Sequence, residues 1–346
     1  MKYLAVLGRQ PEISIAELEA TDFCVDINRL GGTQKLAVEI GKTPLEYLRD
    51  LPEGKLTIGV SDYSKRASRK SATMEALKLK KILVRHGRSV RVVENKEAVL
   101  STATSLHNGL SGKNERKVEL IKTDDGWYRV IGVQDIDAYA RRDQARPARD
   151  AKVGMLPPKL AQILINLCGI LPQGARILDP FCGTGVVLQE ALLMGYTAYG
   201  TDISERMVEY TEKNLKHFGF DGFKLSVGDA TSFKWEQPVA AVACEGYLGR
   251  PMSTIPPEIK LKTEKQECGA IILGFLKNLV GQIEAGTPVV IAAPAWLCEN
   301  GAYSRLEILD EIEEMGYNVN NKTREGLLYA RAGQIVARDI IILRKN

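Results

Sequence analysis

The chain has 346 residues, 45% of them hydrophobic and 26% charged, with a net charge of +4. At roughly 150 residues per domain this makes two or three domains with cores of their own, which excludes a single small module, a disordered chain and a collagen-like one. The charge is uneven: residues 61–150 hold 20 Lys and Arg against 12 Asp and Glu, while the stretches on either side are mildly acidic. Such a block is either a phosphate-neutralising surface or a solvated, lysine-rich helix face.

No apolar run reaches the roughly 18 to 20 residues of a membrane span, and the apolar stretch after Lys2 is too short for a signal peptide, so a cytoplasmic protein is expected. Cys24, Cys168, Cys182, Cys244, Cys268 and Cys298 form no CxxC pair, and His86, His107 and His217 show no ligand spacing. Reduced thiols and no metal are therefore expected. With no heptad or apolar edge signal, so is a monomer.

In chain order, residues 3–7 (YLAVL) predict a strand and 15–20 a helix, with Ser14 as N-cap and Glu17 three residues on. Strands at 35–40 and 56–60 flank a helix near 44–50, so 1–57 is expected to be one α/β domain, closed by the Pro52-Glu53-Gly54 turn. A second α/β unit is expected over 58–135. It opens with a helix at 73–85, whose apolar positions are Met74, Leu77, Leu79, Ile82 and Leu83. A strand at 89–93, a helix at 97–106 closed by His107-Asn108-Gly109, and strands at 117–121 and 127–133 complete it.

Periodicity fails over 136–156, where Arg, Asp and Ala dominate; this predicts a linker. Beyond it, helices at 158–168, 184–194, 204–218, 264–284 and 302–315 alternate with strands at 176–178, 196–201, 222–226, 239–243 and 288–293. Two consecutive strands, near 327–330 and 338–343, end the chain. The expectation for 157–346 is a Rossmann-like α/β domain: a seven-stranded, mostly parallel sheet with helices on both faces and an antiparallel hairpin at one edge.

The strongest local signal is Ile177-Leu178-Asp179-Pro180-Phe181-Cys182-Gly183-Thr184-Gly185, a strand running through a glycine turn into a helix. Glycines there let a ligand approach the backbone, and the helix start behind them favours an anionic group. The turn has neither the GxGxxG spacing of dinucleotide sites nor the Gly-Lys-Ser/Thr of a phosphate loop, which points to an adenosine-like ligand without a pyrophosphate. Asp202, 23 residues after Asp179, ends the next strand where an acid accepts from ribose hydroxyls, and Asp229 follows the third. Taken singly, each is better explained as a turn or cap residue, but three strand-end acids in register after this turn point together to a ligand site.

DPFCGTG, GTDIS and GDA resemble the cofactor motifs of class I S-adenosylmethionine-dependent methyltransferases. YLAVLGRQPEISIAELEA, TATSLHNGL and RDAKVGMLPPKLAQILINL resemble the THUMP-domain tRNA guanosine N(2)-methyltransferases, so the resemblance covers nearly the whole chain. It implies an N-terminal ferredoxin-like domain (1–57), a THUMP-like RNA-binding domain (58–135), a linker and a methyltransferase domain. The implied cofactor is S-adenosylmethionine, held by Asp179, Phe181, Gly183, Gly185, Asp202, Ile203, Asp229 and Ala230, with Met155, Leu156 and Pro157 in the segment that folds over it. The implied substrate is tRNA, gripped by Lys65, Arg66, Arg69, Lys70, Asn108, Arg331 and Arg338, and the implied target is a guanosine amino group at position ten.

In that family Asp, Asn or Ser followed by Pro-Pro and an aromatic residue stands after the fourth strand. Here the stretch is Cys244-Glu245-Gly246-Tyr247. The resemblance assigns Glu245 the acidic role, the Gly246 region the carbonyl that accepts from the target amine, and Tyr247 stacking on the base. Cys182 and Cys244 raise a different route, covalent attack on a pyrimidine, although neither has a base nearby and both suit packing behind strand ends. Trp127 and Trp235 are expected as core or edge aromatics. Three other readings stay open: an RNA-binding protein with a silent methyltransferase fold, a methyltransferase retargeted to another RNA base, and an N-methyltransferase acting on DNA or protein.

Overall fold

A computed structural model describes residues 1–149, 155–236, 238–320 and 327–346. They divide into two compact units, 1–9 with 24–139 and 10–23 with 140–346.

In the first unit, β1 (Tyr3–Leu7), β2 (Thr33–Glu39), β3 (Leu56–Asp62), β4 (Val90–Val92), β5 (Lys117–Lys122) and β6 (Trp127–Val133) form one sheet in the order β1-β2-β6-β5-β3-β4. Residue 57 is therefore not a domain boundary. β2 pairs antiparallel with β6, Val38 opposite Arg129, which joins strands expected in two separate domains. A two-stranded β1–β2 ribbon has too little buried face to stand alone, and β6 supplies its ladder and its core. Deep in the sheet Lys35 Nζ meets Glu119 Oε1 at 2.6 Å, with Ser61 and Ser105 donating to the same carboxylate.

Helix α1 (Pro11–Ala20) lies between β1 and β2 in sequence but packs in the second unit. It begins at Pro11, whose fixed φ suits the first helical position. Ser14 is consequently inside the helix, donating to Gln10 O (3.0 Å), and Glu17 accepts from the Asn166 amide at 2.7 Å instead of closing a capping box.

Helix α2 (Pro44–Arg49) matches expectation, and α3 (Arg69–Arg85) starts four residues early because Ser68 and Ser71 cap one another. Its buried face is Ala72, Ala76, Leu79 and Leu83 against the β3 residues Leu56, Ile58 and Val60, while Met74 and Leu77 are exposed. Ala72 and Ala76 let the first half of the helix sit close to the sheet, and there Met74 and Leu77 fall on the outside. Helix α4 (Thr102–His107) starts late, where Ser101 caps it, and Gly109 rather than Asn108 takes the left-handed turn (φ +71°). The expected linker opens with a helix, α5 (Ile136–Gln144); its residues 150–154 lie outside the described residues.

The second unit continues with α6 (Pro158–Leu167), β7 (Arg176–Asp179), α7 (Val186–Leu193), β8 (Thr197–Asp202), α8 (Glu205–His217), β9 (Phe223–Val227), β10 (Ala241–Glu245) and α9 (Glu258–Leu279). It closes with β11 (Pro288–Leu297), β12 (Tyr303–Ser304), α10 (Leu309–Glu314), β13 (Tyr317–Val319), β14 (Leu328–Tyr329) and β15 (Val336–Lys345). Among the described residues the main sheet order is β13-β15-β11-β10-β7-β8-β9, with β15 alone reversed and antiparallel to both its neighbours β13 and β11, and β14 forms the anticipated hairpin with β15. Strand β13 was not anticipated, and the expected 302–315 helix is only α10.

Apolar clusters cover both faces of this sheet. One joins α9 to β10 and β11 through Ile272, Phe275, Val242 and Ile291; the other joins α6 and α7 through Leu160, Leu164, Val187 and Ala243. Strand order reverses between β7 and β10, and in open α/β sheets the crevice at the carboxyl ends beside such a reversal is where ligands bind. No helix among the described residues is long and apolar enough to cross a membrane.

Candidate active site

Strand β7 runs its buried Ile177 and Leu178 into the sheet and ends on Asp179 at the strand reversal. The glycine turn follows. Cys182 N–H donates to Thr201 O of β8 at 2.9 Å, and Gly183 (φ +51°) and Gly185 (φ +83°) take left-handed conformations that a side chain strains. A Cβ on Gly185 would also lie 2.8 Å from Thr211 Cγ2, whereas one on Gly183 would meet nothing nearer than Phe181 O at 3.9 Å. The turn at Gly183 thus has open space over its backbone.

Three acids stand at the carboxyl ends of neighbouring strands. Asp179 Oδ1 accepts from Phe181 N–H (3.1 Å); Asp202 accepts from Gly183 N–H and Ser204 N–H (both 2.9 Å); Glu245 ends β10. Burial pushes Asp179 well above the usual carboxylate range, and the charges of Asp202 and Glu245 add to the rise. Asp202 and Glu245 are raised by burial as well. Crowded, partly dry carboxylates create a negative potential that a cationic ligand relieves.

Asp229 differs. It is exposed, and the Thr231 amide and hydroxyl hold its carboxyl below the usual range. Its position is fixed by Gly228 N–H donating to Asp202 O (2.9 Å), which brings the ends of β8 and β9 together; Ala230 is buried beside it. Ile203, by contrast, is an apolar side chain 72% exposed directly after Asp202. Phe181 stands edge-on to Phe275 with centroids 5.3 Å apart.

After Glu245 the ladder continues for one residue, Gly246 N–H donating to Ala292 O at 3.0 Å. A proline there would lose that bond. Gly249 (φ +81°) turns the chain where a Cβ would lie 2.7 Å from Glu264 Oε2. Tyr247, 37% exposed, lies between these two glycines. Cys182 and Cys244 are buried, and burial with nearby carboxylates drives both thiols well above their usual range, so neither is a thiolate nucleophile. Trp235 is buried against Phe275 and Phe233, with its indole N–H on Thr201 Oγ1 (3.2 Å), while Trp127 is half-buried.

The residues expected to touch RNA separate into different groups. Lys65, Arg66 and Lys70 are exposed; Arg69 is exposed and paired with Glu94 (3.3 Å). The Asn108 amide is engaged by Arg91 (3.0 Å) and Thr104 O (2.9 Å). Arg331 is at the surface with its guanidinium by Tyr329. Arg338 is a correction: it is 6% exposed and its Nε donates to Glu245 Oε1 at 2.7 Å, so a guanidinium expected to face RNA is spent inside the sheet.

Another group went unrecognised in the sequence. Arg142 donates twice to Glu190 (2.8 and 3.1 Å), Arg146 reaches Thr184 Oγ1 (3.3 Å), and Asn214 bridges both backbone groups of Ala148 to Thr184 O. Together they fasten residues 142–148 to Thr184 of the glycine turn and to α7 and α8. The Arg142/Arg146 spacing of four was the available signal, hidden in a stretch without apolar periodicity. Further on, Met155 is half-buried and Leu156 packs with Leu160 and Leu164 ahead of the Pro157 helix cap.

Residues 171–278 match a family model described as a methyltransferase domain, and residues 97–213 match one described as a DNA methylase. The chain is similar to the tRNA (guanine(10)-N2)-dimethyltransferases of Methanothermobacter thermautotrophicus (38% identity over 45% of this chain and 44% of that one) and Pyrococcus abyssi (33% over 47% and 44%). The match thus spans less than half the length of these relatives. A solved structure, TrmN from Thermus thermophilus, aligns with 91% of this chain and 84% of its own at 16% identity and a TM-score of 0.46. The methyltransferase-domain match falls within the second unit, whose strand order is that of a Rossmann-like α/β fold.

Proposed function

We propose that this protein transfers a methyl group from S-adenosylmethionine to the exocyclic amino group of a guanosine in tRNA, at position ten by similarity to its relatives. The observation that carries this reading is the convergence of Asp179, Asp202 and Glu245 on the carboxyl ends of β7, β8 and β10, beside an open glycine turn. When bound, S-adenosylmethionine supplies a methyl carbon made electrophilic by a positively charged sulfur.

The chain's residues fit that group. The raised carboxyls of Asp179 and Asp202 favour a ligand that brings positive charge. Gly183 leaves room for close approach, Asp202 is held rigidly enough to accept from ribose hydroxyls, and the exposed Ile203 offers an apolar flank for an adenine ring. Asp229 and Ala230 border the same edge, with Gly185 supporting the turn and Met155, Leu156 and Pro157 preceding α6.

At the target side Glu245 accepts a hydrogen bond from the guanine amine, together with a carbonyl of the Gly246 region, and Tyr247 stacks on the extruded base. Aligning the nitrogen lone pair with the methyl carbon does most of the work, since an aromatic amine is a weak nucleophile. The bound donor would give up its methyl carbon with the S–C bonding pair left on sulfur, and the part of Glu245 and the Gly246 region is to hold the amine in line with that bond. The surplus amine proton leaves through Glu245 to solvent. Lys65, Arg66, Arg69, Lys70 and Arg331 contribute phosphate contacts in this reading.

Incubation of the full chain with tRNA transcripts and methyl-labelled donor, followed by nucleoside mass spectrometry, tests the proposal. Labelled N2-methylguanosine that disappears when position ten is changed to adenosine is the expected result. Tight tRNA binding with unlabelled guanosine would overturn it in favour of a silent RNA-binding fold, and label on another base in favour of a retargeted enzyme.

A further inference from the structure

Arg338 lies on β15 opposite Pro294 of β11, and β11 lies between β15 and β10 in the sheet. From there its side chain crosses the intervening strand to Glu245 Oε1, 2.7 Å away and 93 residues distant in sequence. Both partners are largely withdrawn from water, the arginine side chain 7% and the glutamate 17% exposed. A guanidinium placed so deeply is tolerated only against an anion. Among the described residues Glu245 Oε2 has no hydrogen-bond partner.

The surroundings give the pair a task. Asp179 on β7 faces Glu245, Cys244 precedes it on β10, apolar Ile291 and Ile272 stand by Gly246 from β11 and α9, and the next charged pair along β15 is Arg305 with Asp339. Burial drives the Glu245 carboxyl toward its neutral form, and Arg338 opposes it with both its charge and its hydrogen bond. Glutamate also has one more rotatable bond than aspartate, and Gly246 has more backbone freedom than proline, so this loop has more disorder to lose when it positions an amine.

We propose that Arg338 is a positioning residue: it keeps the Glu245 carboxylate ionised and in one orientation, so that Oε2 is the oxygen presented to the target amino group. The role rests on the methyltransferase reading for its purpose but not for its physical content. Arg338 takes over from outside the loop the restraint that a proline after the acid would supply within it.

The test uses the full chain with R338M and R338K, each checked for an unchanged melting profile and circular dichroism; should R338M fail to fold, R338Q carries the same measurements. The first readout is the pH titration of the Glu245 side-chain carboxyl carbon by 13C NMR. R338M is expected to move its midpoint up by one pH unit or more, and R338K to restore most of the shift. The second readout is single-turnover methyl transfer to tRNA against pH. R338M is expected to lower the rate at least tenfold at neutral pH and move the acid limb upward, with KM for tRNA changed less than threefold.

An unmoved carboxyl midpoint overturns the inference whether or not the protein transfers methyl groups. A loss confined to KM overturns it too, because it makes Arg338 an RNA contact. A midpoint that moves in a protein whose wild type transfers no methyl group sinks the function proposed above and leaves the pairing in place.

Discussion

Asp202 accepts the backbone N–H of Gly183 through one oxygen and that of Ser204 through the other, each at 2.9 Å, so one side chain clamps the turn after β7 to the turn after β8. The clamp orients the surface on which a nucleoside would lie. D202A removes both acceptors and a charge from the crevice. Calorimetric titration with S-adenosylmethionine is expected to show affinity reduced by about 10- to 100-fold, about 1.4 to 2.8 kcal/mol. D202N, which keeps one acceptor, is expected to fall between wild type and D202A.

Asp179 links stability to pH in a direction opposite to a salt-bridged acid. Its folded carboxyl is raised above the ordinary 3.8, so between that value and the raised one the folded protein holds a proton that the unfolded chain has released. Stability is therefore greatest at low pH within this window and declines as pH rises through the folded value. D179N keeps an oxygen for the Phe181 amide and abolishes the decline. Melting curves from pH 4 to 8 are expected to show the variant gaining on wild type as pH rises, while its S-adenosylmethionine affinity drops; parallel curves would contradict the assignment.

Glu190 is fully buried, and its two bonds from Arg142 hold the segment ahead of α6 to α7. Breaking one side of such a pair costs more than the pair contributes, since the partner loses its counter-charge. E190A is expected to destabilise the second unit by about 3 kcal/mol in urea unfolding. The double variant E190L/R142L, an apolar replacement of both, should recover at least half of that loss.

The buried thiols predict a negative result with content. With Cys182 and Cys244 both held far toward the neutral thiol, C182A and C244A are expected to keep methyl-transfer rates within about threefold of wild type and to lose about 1 kcal/mol of stability from lost packing. A hundredfold loss in C244A, with trapping of a covalent RNA adduct by wild type, would instead support attack on a pyrimidine ring.

Which features were legible in the sequence follows from how far apart the responsible residues lie. The glycine turn, the strand ending on Asp202 and the helix–strand alternation over 158–227 are set by neighbours within about ten residues, and those elements appear with small shifts at their ends, whereas beyond 300 the expected helix shrinks to α10 and β13 appears unannounced. Local signals misled where two of them competed: Pro11 outranked Ser14 as the start of α1, and Ser68 with Ser71 outranked the apolar run that suggested a later start for α3.

The sequence by itself determined that a strand, a glycine turn and a helix form around Asp179 and that acids follow on the next strands, because backbone preference and apolar periodicity act locally. Only the tertiary structure decided that strands on both sides of residue 57 share one sheet, that α1 packs in the second unit, and that the arginine facing Glu245 comes from β15. Those outcomes depend on which strand finds which ladder and which charge must be neutralised once buried. Both are settled by the free energy of whole layers coming together, a quantity that no window of sequence contains.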